Sequence, residues 1–307
     1  MKKIAFFLIV LCSTMLSCTK EKTHYEGWED LEGNKQEVFI EAYAFTKDKY
    51  RVCIKSINGL FAKGYNPVHL EITDQETGNA VAAHNVSLLP VMTNDKGERI
   101  SCIHPFELNP GQDEPYFSGY ALFPQESKEG VVWELYVDFF INGQDYRAKL
   151  QVYIEQQQNK NLNMTAFKGQ DGESYFIALA EPGQPKVGEN ILIAGIYQYI
   201  PLVDGLPKDF PEMDILYQEV GDYTLKIDPR MPEPSMGNHS SPNNSDLIQQ
   251  GDNLYHGLVN YTMTGNWTLN LILLDKAGNV IKGTKVPPDF TPGEEGVKST
   301  LYIDVLF

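Results

Sequence analysis

The sequence predicts an all-β fold built from two tandem immunoglobulin-like β-sandwich domains. Short runs of alternating or β-branched and aromatic residues recur along the chain, whereas few windows show a helical period. Turn signals such as Asn58-Gly59 and Asn142-Gly143 separate these runs. A set of landmark residues also recurs in the same order in both halves. Together, these three observations are typical of consecutive antiparallel sandwiches.

The composition fits a folded protein and argues against nucleic acid as a partner. A chain of 307 residues has room for two domains, and its 42% hydrophobic and 21% charged content excludes a disordered chain. The 41 acidic residues outnumber the 25 basic ones and give a formal net charge of -16. Because such a surface repels phosphate backbones, we expect no nucleic-acid partner.

The first residues have the layout of an export signal. Basic residues precede an apolar run from Ile4 to Leu11, which is too short to span a bilayer permanently. The run ends at Met15-Leu16-Ser17-Cys18, which resembles the lipobox of bacterial lipoproteins, with Met15 where Leu is usual. The resemblance implies a signal peptide over 1–17, lipid on Cys18 and a lipidated tether over 18–35. An ordinary secretory signal with an incidental Cys is the alternative.

The lipid would attach the protein to a membrane through Cys18. We therefore expect the protein in the bacterial cell envelope, facing the periplasm or the cell surface. Cys53 and Cys102 would then lie in an oxidising compartment. They either form one disulfide or remain separate thiols, one of which could bind a metal, and the sequence leaves this choice open because it does not give the distance between them.

We expect the first sandwich over 36–155, a polar linker over 156–163 and the second sandwich over 164–307. Strands predicted in the first sandwich cover 37–43, 133–141 and 148–154, and those in the second cover 175–179, 190–199, 222–227, 257–263, 267–274 and 299–306. The two sandwiches share Met, His, Gly and Trp landmarks in the same order and at similar spacing. These are Met92, His104, Gly119 and Trp133 in the first half, and Met231, His239, Gly257 and Trp267 in the second. We interpret the repeat as an internal duplication, with the two tryptophans in the cores.

Segment 228–251 is rich in Pro, Asn and Ser, so we predict neither a helix nor a buried strand there. Met231, Met236 and His239 bring two thioethers and an imidazole into this segment. Soft thioethers select Cu(I), and imidazole binds either copper state. His256 and Met263, near the ends of the next strand, are further candidate ligands. Alternatively, the methionines anchor the loop to the sandwich and His239 is a solvated surface residue.

The loop, the following Tyr255-x-Gly257 and the segment Met263-Thr264-Gly265-Asn266-Trp267 resemble the YtkA-like and FixH-like domain family. These are small extracytoplasmic β-sandwich domains, often encoded near copper-handling genes. The resemblance spans roughly 214–281 and implies copper as a cofactor of the second domain.

The first half is a weaker match to this family. It keeps the landmark residues but lacks a second Met and the tight turn before Trp133. Met92, Cys102 and His104 are therefore a secondary candidate metal set, and a disulfide at Cys102 would remove its thiolate.

No catalytic constellation is recognisable. The sequence lacks a Gly-x-Ser-x-Gly elbow, a His-Glu-x-x-His motif, a phosphate-binding Gly loop and an EF-hand loop. We therefore expect a lipid-anchored extracytoplasmic binding protein rather than an enzyme, with copper bound by the Met/His loop. The alternative is a structural or adhesive surface module that recognises a protein or a glycan and holds no metal.

Overall fold

The structure, a computed structural model, describes residues 38–102, 107–111, 115–201 and 215–307. The predicted signal peptide, the lipid attachment at Cys18 and most of the tether lie outside these described residues. The strands are β1 Phe39–Lys47, β2 Tyr50–Ile57, β3 Phe61–Ala62, β4 Gly64–Asp74, β5 His84–Thr93, β6 Arg99–Cys102, β7 Asn109–Pro110, β8 Phe117–Phe123, β9 Val132–Ile141, β10 Gln144–Val152, β11 Ile154–Glu155, β12 Met164–Lys168, β13 Ser174–Glu181, β14 Gly188–Pro201, β15 Ile215–Glu219, β16 Thr224–Met231, β17 His239–Ser240, β18 Ser245–Gln249, β19 Tyr255–Tyr261, β20 Asn266–Leu274, β21 Val280–Gly283 and β22 Tyr302–Leu306.

The prediction of an all-β fold is confirmed. The only helical element among the described residues is a single 3₁₀ turn at Pro234–Met236. None of the described residues forms a helix long and apolar enough to cross a bilayer.

The first half packs two sheets against each other. One sheet has the order β1-β2-β4-β8-β7, and the other runs β10-β9-β5-β6. Side chains of β9 alternate between buried and less buried positions from Trp133 to Ile141, because one face of the strand lies in the core. The predicted turn at Asn142-Gly143 is confirmed: both residues have positive φ, 52° and 82°, and they close the β9–β10 hairpin.

The second half repeats the strand order of the first. Strands β12-β13-β14-β19-β18 correspond in order to β1-β2-β4-β8-β7, and β16-β20-β21 corresponds to β5-β9-β10. The strand β18 also pairs with β16, where Leu225 lies opposite Leu247, so the two sheets of this half join at one edge. The shared order supports the internal duplication.

Segment 228–251 is more ordered than its composition predicts. The strand β16 continues to Met231, and β18 crosses the segment with Leu247 fully buried. The expectation that no buried strand lies here was wrong, because pairing with β19 and β20 overrides the local Pro, Asn and Ser content.

Each half has a core built around one tryptophan. Trp133 and Trp267 are 1% and 0% exposed, so the expectation that both are core residues is confirmed. Each indole N–H donates to a backbone carbonyl at 2.9 Å, of Gln125 for Trp133 and of Met263 for Trp267. The ring is buried while its polar edge stays hydrogen-bonded.

A cluster of aromatic side chains joins the two halves. Phe176 stacks on Tyr197 with ring centroids 4.7 Å apart and meets Tyr217 edge-on at 4.8 Å. Tyr65 and Tyr120, from the first half, pack against the same cluster. The parallel pairing of β6 with β15 continues one sheet from the first half into the second. The boundary between the halves is therefore both packed and hydrogen-bonded.

The predicted linker, 156–163, contains none of the named strands. It is nevertheless attached to the second half, because Leu162 forms an isolated bridge with Asp304 and the Asn163 carbonyl accepts the Leu179 amide at 2.9 Å. The division into domains at 36–155 and 164–307 stays a prediction.

Truncating Phe176 should uncouple the two halves. Phe176 is 1% exposed, so Phe176→Ala should cost about 3–5 kcal/mol of unfolding free energy. Because the lost contacts lie at the junction, urea unfolding followed by tryptophan fluorescence should change from one transition to two. Val297→Ala, at a position 63% exposed, is the control and should change stability by less than about 0.5 kcal/mol. An unchanged single transition in the Phe176 variant would contradict this account of the junction.

Candidate functional site

The candidate Met/His segment is a hairpin at one end of the second half. Met231, the last residue of β16, lies directly opposite His239, the first residue of β17. Between them the chain makes the 3₁₀ turn at Pro234–Met236 and then passes through Gly237 and Asn238, both with positive φ, 59° and 55°. Because directly opposite residues of an antiparallel pair project to the same face, the hairpin brings Met231 and His239 together.

Met231 lies under this hairpin, fully buried in the core of the second half. The last paired residues of β16 and β20 are Arg230 and Thr268. Met231 and Trp267 are the next residues on these two strands. Its methyl group also lies against Gly265: a Cβ at that glycine would be 2.6 Å from the Met231 Cε. Gly265 has φ 135°, a conformation that favours glycine. The thioether therefore packs in the core beneath the turn.

His239 and Met263 contact the same turn from the surface. The His239 Nε2 lies 2.9 Å from the Thr262 hydroxyl oxygen, and the His239 ring centroid is 6.1 Å from that of Trp267. Met263 is 37% exposed, and its carbonyl accepts the Trp267 indole N–H. Met231 and His239 thus contact the turn at residues 262–267, and the third candidate, Met263, belongs to this turn.

Met236 and His256 have different surroundings. Met236 is 38% exposed in the 3₁₀ turn, and the next residue, Gly237, packs against the Phe290 ring. His256 lies near the start of β19. Because an extended strand rises about 3.3 Å per residue, His256 is about 20 Å from Thr262. It cannot share a metal with the residues around the 262–267 turn.

His256 instead pairs with a carboxylate. Its Nε2 is 2.9 Å from the Asp252 Oδ2. Partial burial acts to raise the pKa of Asp252, but the hydrogen bonds from His256 and from the Leu254 amide outweigh burial and hold that pKa below its usual value. This pair joins the turn before β19 to the strand.

The structure describes only part of the candidate set in the first half. Met92 is buried and lies directly opposite Trp133, which matches the placement of Met231 beside Trp267. The side chain of Cys102 and all of His104 lie outside the described residues. The set Met92, Cys102 and His104 therefore stays a prediction.

Cys53 is a free thiol on β2. Its Sγ donates to the Glu41 carboxylate at 3.2 Å, and burial together with this carboxylate raises the pKa of Cys53 to about 11. Of the two states that the sequence leaves open, the structure has the unpaired thiol. A thiol with this pKa is protonated near neutral pH, so it is a poor metal ligand there.

Within residues 38–102, 107–111, 115–201 and 215–307, no group of three or more His, Cys, Asp or Glu side chains could hold a metal ion. The candidate ligands around the 262–267 turn differ from such a group of His, Cys, Asp and Glu side chains, because two of the three are thioethers.

Sequence reasoning missed two features of the molecule. Thr262, which fixes the His239 ring, has no motif of its own, although it directly precedes the candidate Met263. The polar linker was interpreted as a spacer, yet residues 156–160 form one wall of a cavity. The run of glutamines at 156–158 was the available signal, since amide side chains are common in polar binding sites.

No protein-family model matches this chain, and no curated protein matches it. A crystal structure of a DUF4785 family protein from Legionella pneumophila is similar over 76% of this chain, at 9% identity and a TM-score of 0.24. The chain spans about half the length of that protein, 54% of it. A similarity this low supports no conclusion about the fold or function of this chain. The resemblance to YtkA-like and FixH-like domains therefore stays a prediction.

The raised pKa of Cys53 predicts slow alkylation. At pH 8, iodoacetamide should modify Cys53 much more slowly in the folded protein than in urea, and the folded rate should rise as the pH approaches about 11. Glu41→Gln removes a negative acceptor, so it should lower the pKa and accelerate the reaction. Glu129→Gln, an exposed carboxylate elsewhere, is the control. Mass spectrometry of the Cys53 peptide measures the rate, and equal rates in the two variants would contradict the role of Glu41.

Proposed function

We propose that this protein is a lipid-anchored, non-catalytic binding protein of the cell envelope that captures Cu(I) at the end of its second half. The observation that supports this proposal is the gathering of Met231, His239 and Met263 around the 262–267 turn. Two soft thioethers with one imidazole suit Cu(I) better than harder cations. The Met236 thioether, on the same hairpin, is a further candidate ligand.

The positions of these side chains suit capture from solution. Met231 contributes a donor from the core, while His239 and Met263 are exposed at the rim and accessible to an arriving ion. The Thr262 hydroxyl orients the His239 ring, in the way that outer partners orient metal-binding histidines. The net charge of -16 attracts cations to the surface. Capture needs no change in copper oxidation state and no proton transfer within the protein.

The lipid on Cys18 would hold this site at the membrane. Attachment restricts the protein to the envelope, so the copper that it binds would be extracytoplasmic. The proposal therefore combines the expected anchor with the donor set of the second half.

A Cu(I) titration against a chromophoric competitor, with the full-length protein in detergent, tests the proposal. His239→Ala and Met263→Ala should each weaken binding by at least the 10–100-fold that loss of an outer partner typically causes. His256→Ala is the matched control for His239→Ala, because His256 lies at the other end of β19, and it should bind as the wild type does.

Met231 needs its own control because it also belongs to the core. Met231→Leu keeps the volume but removes the sulfur, and it should weaken Cu(I) binding. Met92→Leu makes the same change beside Trp133 and should leave Cu(I) binding unchanged. Trp267 should report binding by fluorescence quenching, since its ring lies 6.1 Å from that of His239.

Equal and weak Cu(I) binding by the wild type and a Met231→Leu/His239→Ala/Met263→Ala variant would contradict the copper proposal. The alternative would then take its place: a structural or adhesive module that recognises a protein or a glycan without metal.

A further inference from the structure

The strand β10 is a long and regular free edge of the first half. Among the described residues it pairs with β9 alone, over nine consecutive positions without a bulge. The strand β1, at the edge of the other sheet, is equally long but has a bulge between Glu41 and Tyr43. The opposite edge strand, β7, has only two residues, one of them Pro110. Bulges, short strands and prolines protect sheet edges from pairing, and β10 has none of these features.

The β10 backbone presents hydrogen-bonding groups to solvent in a regular pattern. The two-residue turn at Asn142-Gly143, with positive φ at both positions, places a hydrogen-bonded pair directly after the turn. Because antiparallel strands alternate hydrogen-bonded and non-hydrogen-bonded pairs, the N–H and C=O groups of Asp145, Arg147 and Lys149 point away from β9. The side chains of these three residues are exposed, whereas the residues between them are half-buried. A further strand could therefore pair here without disturbing the core.

The charges along this edge do not exclude such a strand. Charged side chains can protect an edge, but the two cations of β10 already have anionic partners. Arg147 donates to both oxygens of the Asp138 carboxylate, at 2.7 and 2.6 Å, and the Lys149 Nζ is 2.8 Å from a Glu134 carboxylate oxygen. Asp145 is exposed and forms no ion pair with any residue that the structure describes. An incoming strand therefore has to provide a cation opposite Asp145.

A second copy of β10 provides this cation. In an antiparallel two-fold pair centred on Arg147, Asp145 of each copy lies directly opposite Lys149 of the other copy. Both residues have outward-pointing backbone groups, so the same register also forms the backbone hydrogen bonds. At the centre the two Arg147 side chains meet, each with its own Asp138 carboxylate. Centring the pair on Ala148 instead would place Arg147 opposite Lys149, which like charges disfavour.

We propose that the protein forms a two-fold dimer through β10, in which the β10-β9-β5-β6 sheet of one copy continues into that of the other. Each copy uses the same edge, so the assembly closes at two copies. The β10 edge lies in the first half and the candidate copper ligands lie in the second, so the dimer does not depend on the copper proposal.

Crosslinking of introduced cysteines in the full-length protein in detergent tests the register. The two copies of residue 147 would lie opposite each other, with about 5.5 Å between their Cα atoms, so a short bismaleimide should join Arg147→Cys into a dimer on a denaturing gel. Gln151→Cys is the matched control on the same exposed face. Its two copies would lie about 26 Å apart at the rise of an extended strand, so it should not crosslink. The wild type gives the background from its own cysteines.

Light scattering during size-exclusion chromatography measures the association over a range of protein concentrations. The wild type should approach twice the monomer mass. Asp145→Lys replaces both attractive pairs with repulsive ones and should weaken the dimer about tenfold. Glu129→Lys makes the same change in net charge at an exposed position elsewhere and should leave the dimer unchanged.

Lys149→Pro removes an N–H that faces the second copy but does not pair with β9. It should give a monomer whose melting temperature is close to that of the wild type.

Any of three results would overturn the proposal: a wild type that stays monomeric at every concentration, equal crosslinking of Arg147→Cys and Gln151→Cys, or a dimer that is as strong in Asp145→Lys as in Glu129→Lys. The last comparison rests on exposed residues only, so it decides the matter even if Lys149→Pro fails to fold.

Discussion

Burial of one tryptophan in each half is the constraint on which the rest of the architecture depends. Trp133 and Trp267 occupy the same place in the strand order, near the start of β9 and β20. Burying so large a ring requires that the indole N–H find an acceptor, and in both halves a backbone carbonyl of the segment that precedes the strand supplies it. The turn before each strand is therefore fixed by the core beneath it. In the second half this is the turn that gathers His239 and Met263.

A methionine beside each tryptophan is the second repeated element. Met92 lies opposite Trp133, and Met231 shares a core cluster with Trp267, so a buried methionine near the tryptophan belongs to the shared plan of both halves. This packing alone explains the burial of Met231. In the second half an exposed imidazole and an exposed second thioether lie at the same turn. These surface neighbours make the buried Met231 a candidate ligand.

Local patterns in the sequence were enough to predict the fold class, the two tryptophan cores and hairpin turns such as Asn142-Gly143. Alternation along β9 and the preference of Asn-Gly for positive φ are local properties, and they determine local structure. The strand β18 was missed because its pairing with β19 and β16 is a long-range effect that overrides composition. The distance of His256 from the other candidate ligands follows from the length of β19, which is close to the strand predicted over 257–263.

The junction between the halves shows how two similar sandwiches form one continuous structure. Two copies of one sandwich have no cavity between them until they pack, and here an aromatic cluster and the parallel β6–β15 pair bring them together. The linker then closes one side, because Gln157 is hydrogen-bonded to Lys63 of the first half while Leu162 bridges to Asp304 of the second. Polar groups that would be solvated on a separate domain become partly buried at this boundary. The buried Gln157 Oε1 is one example.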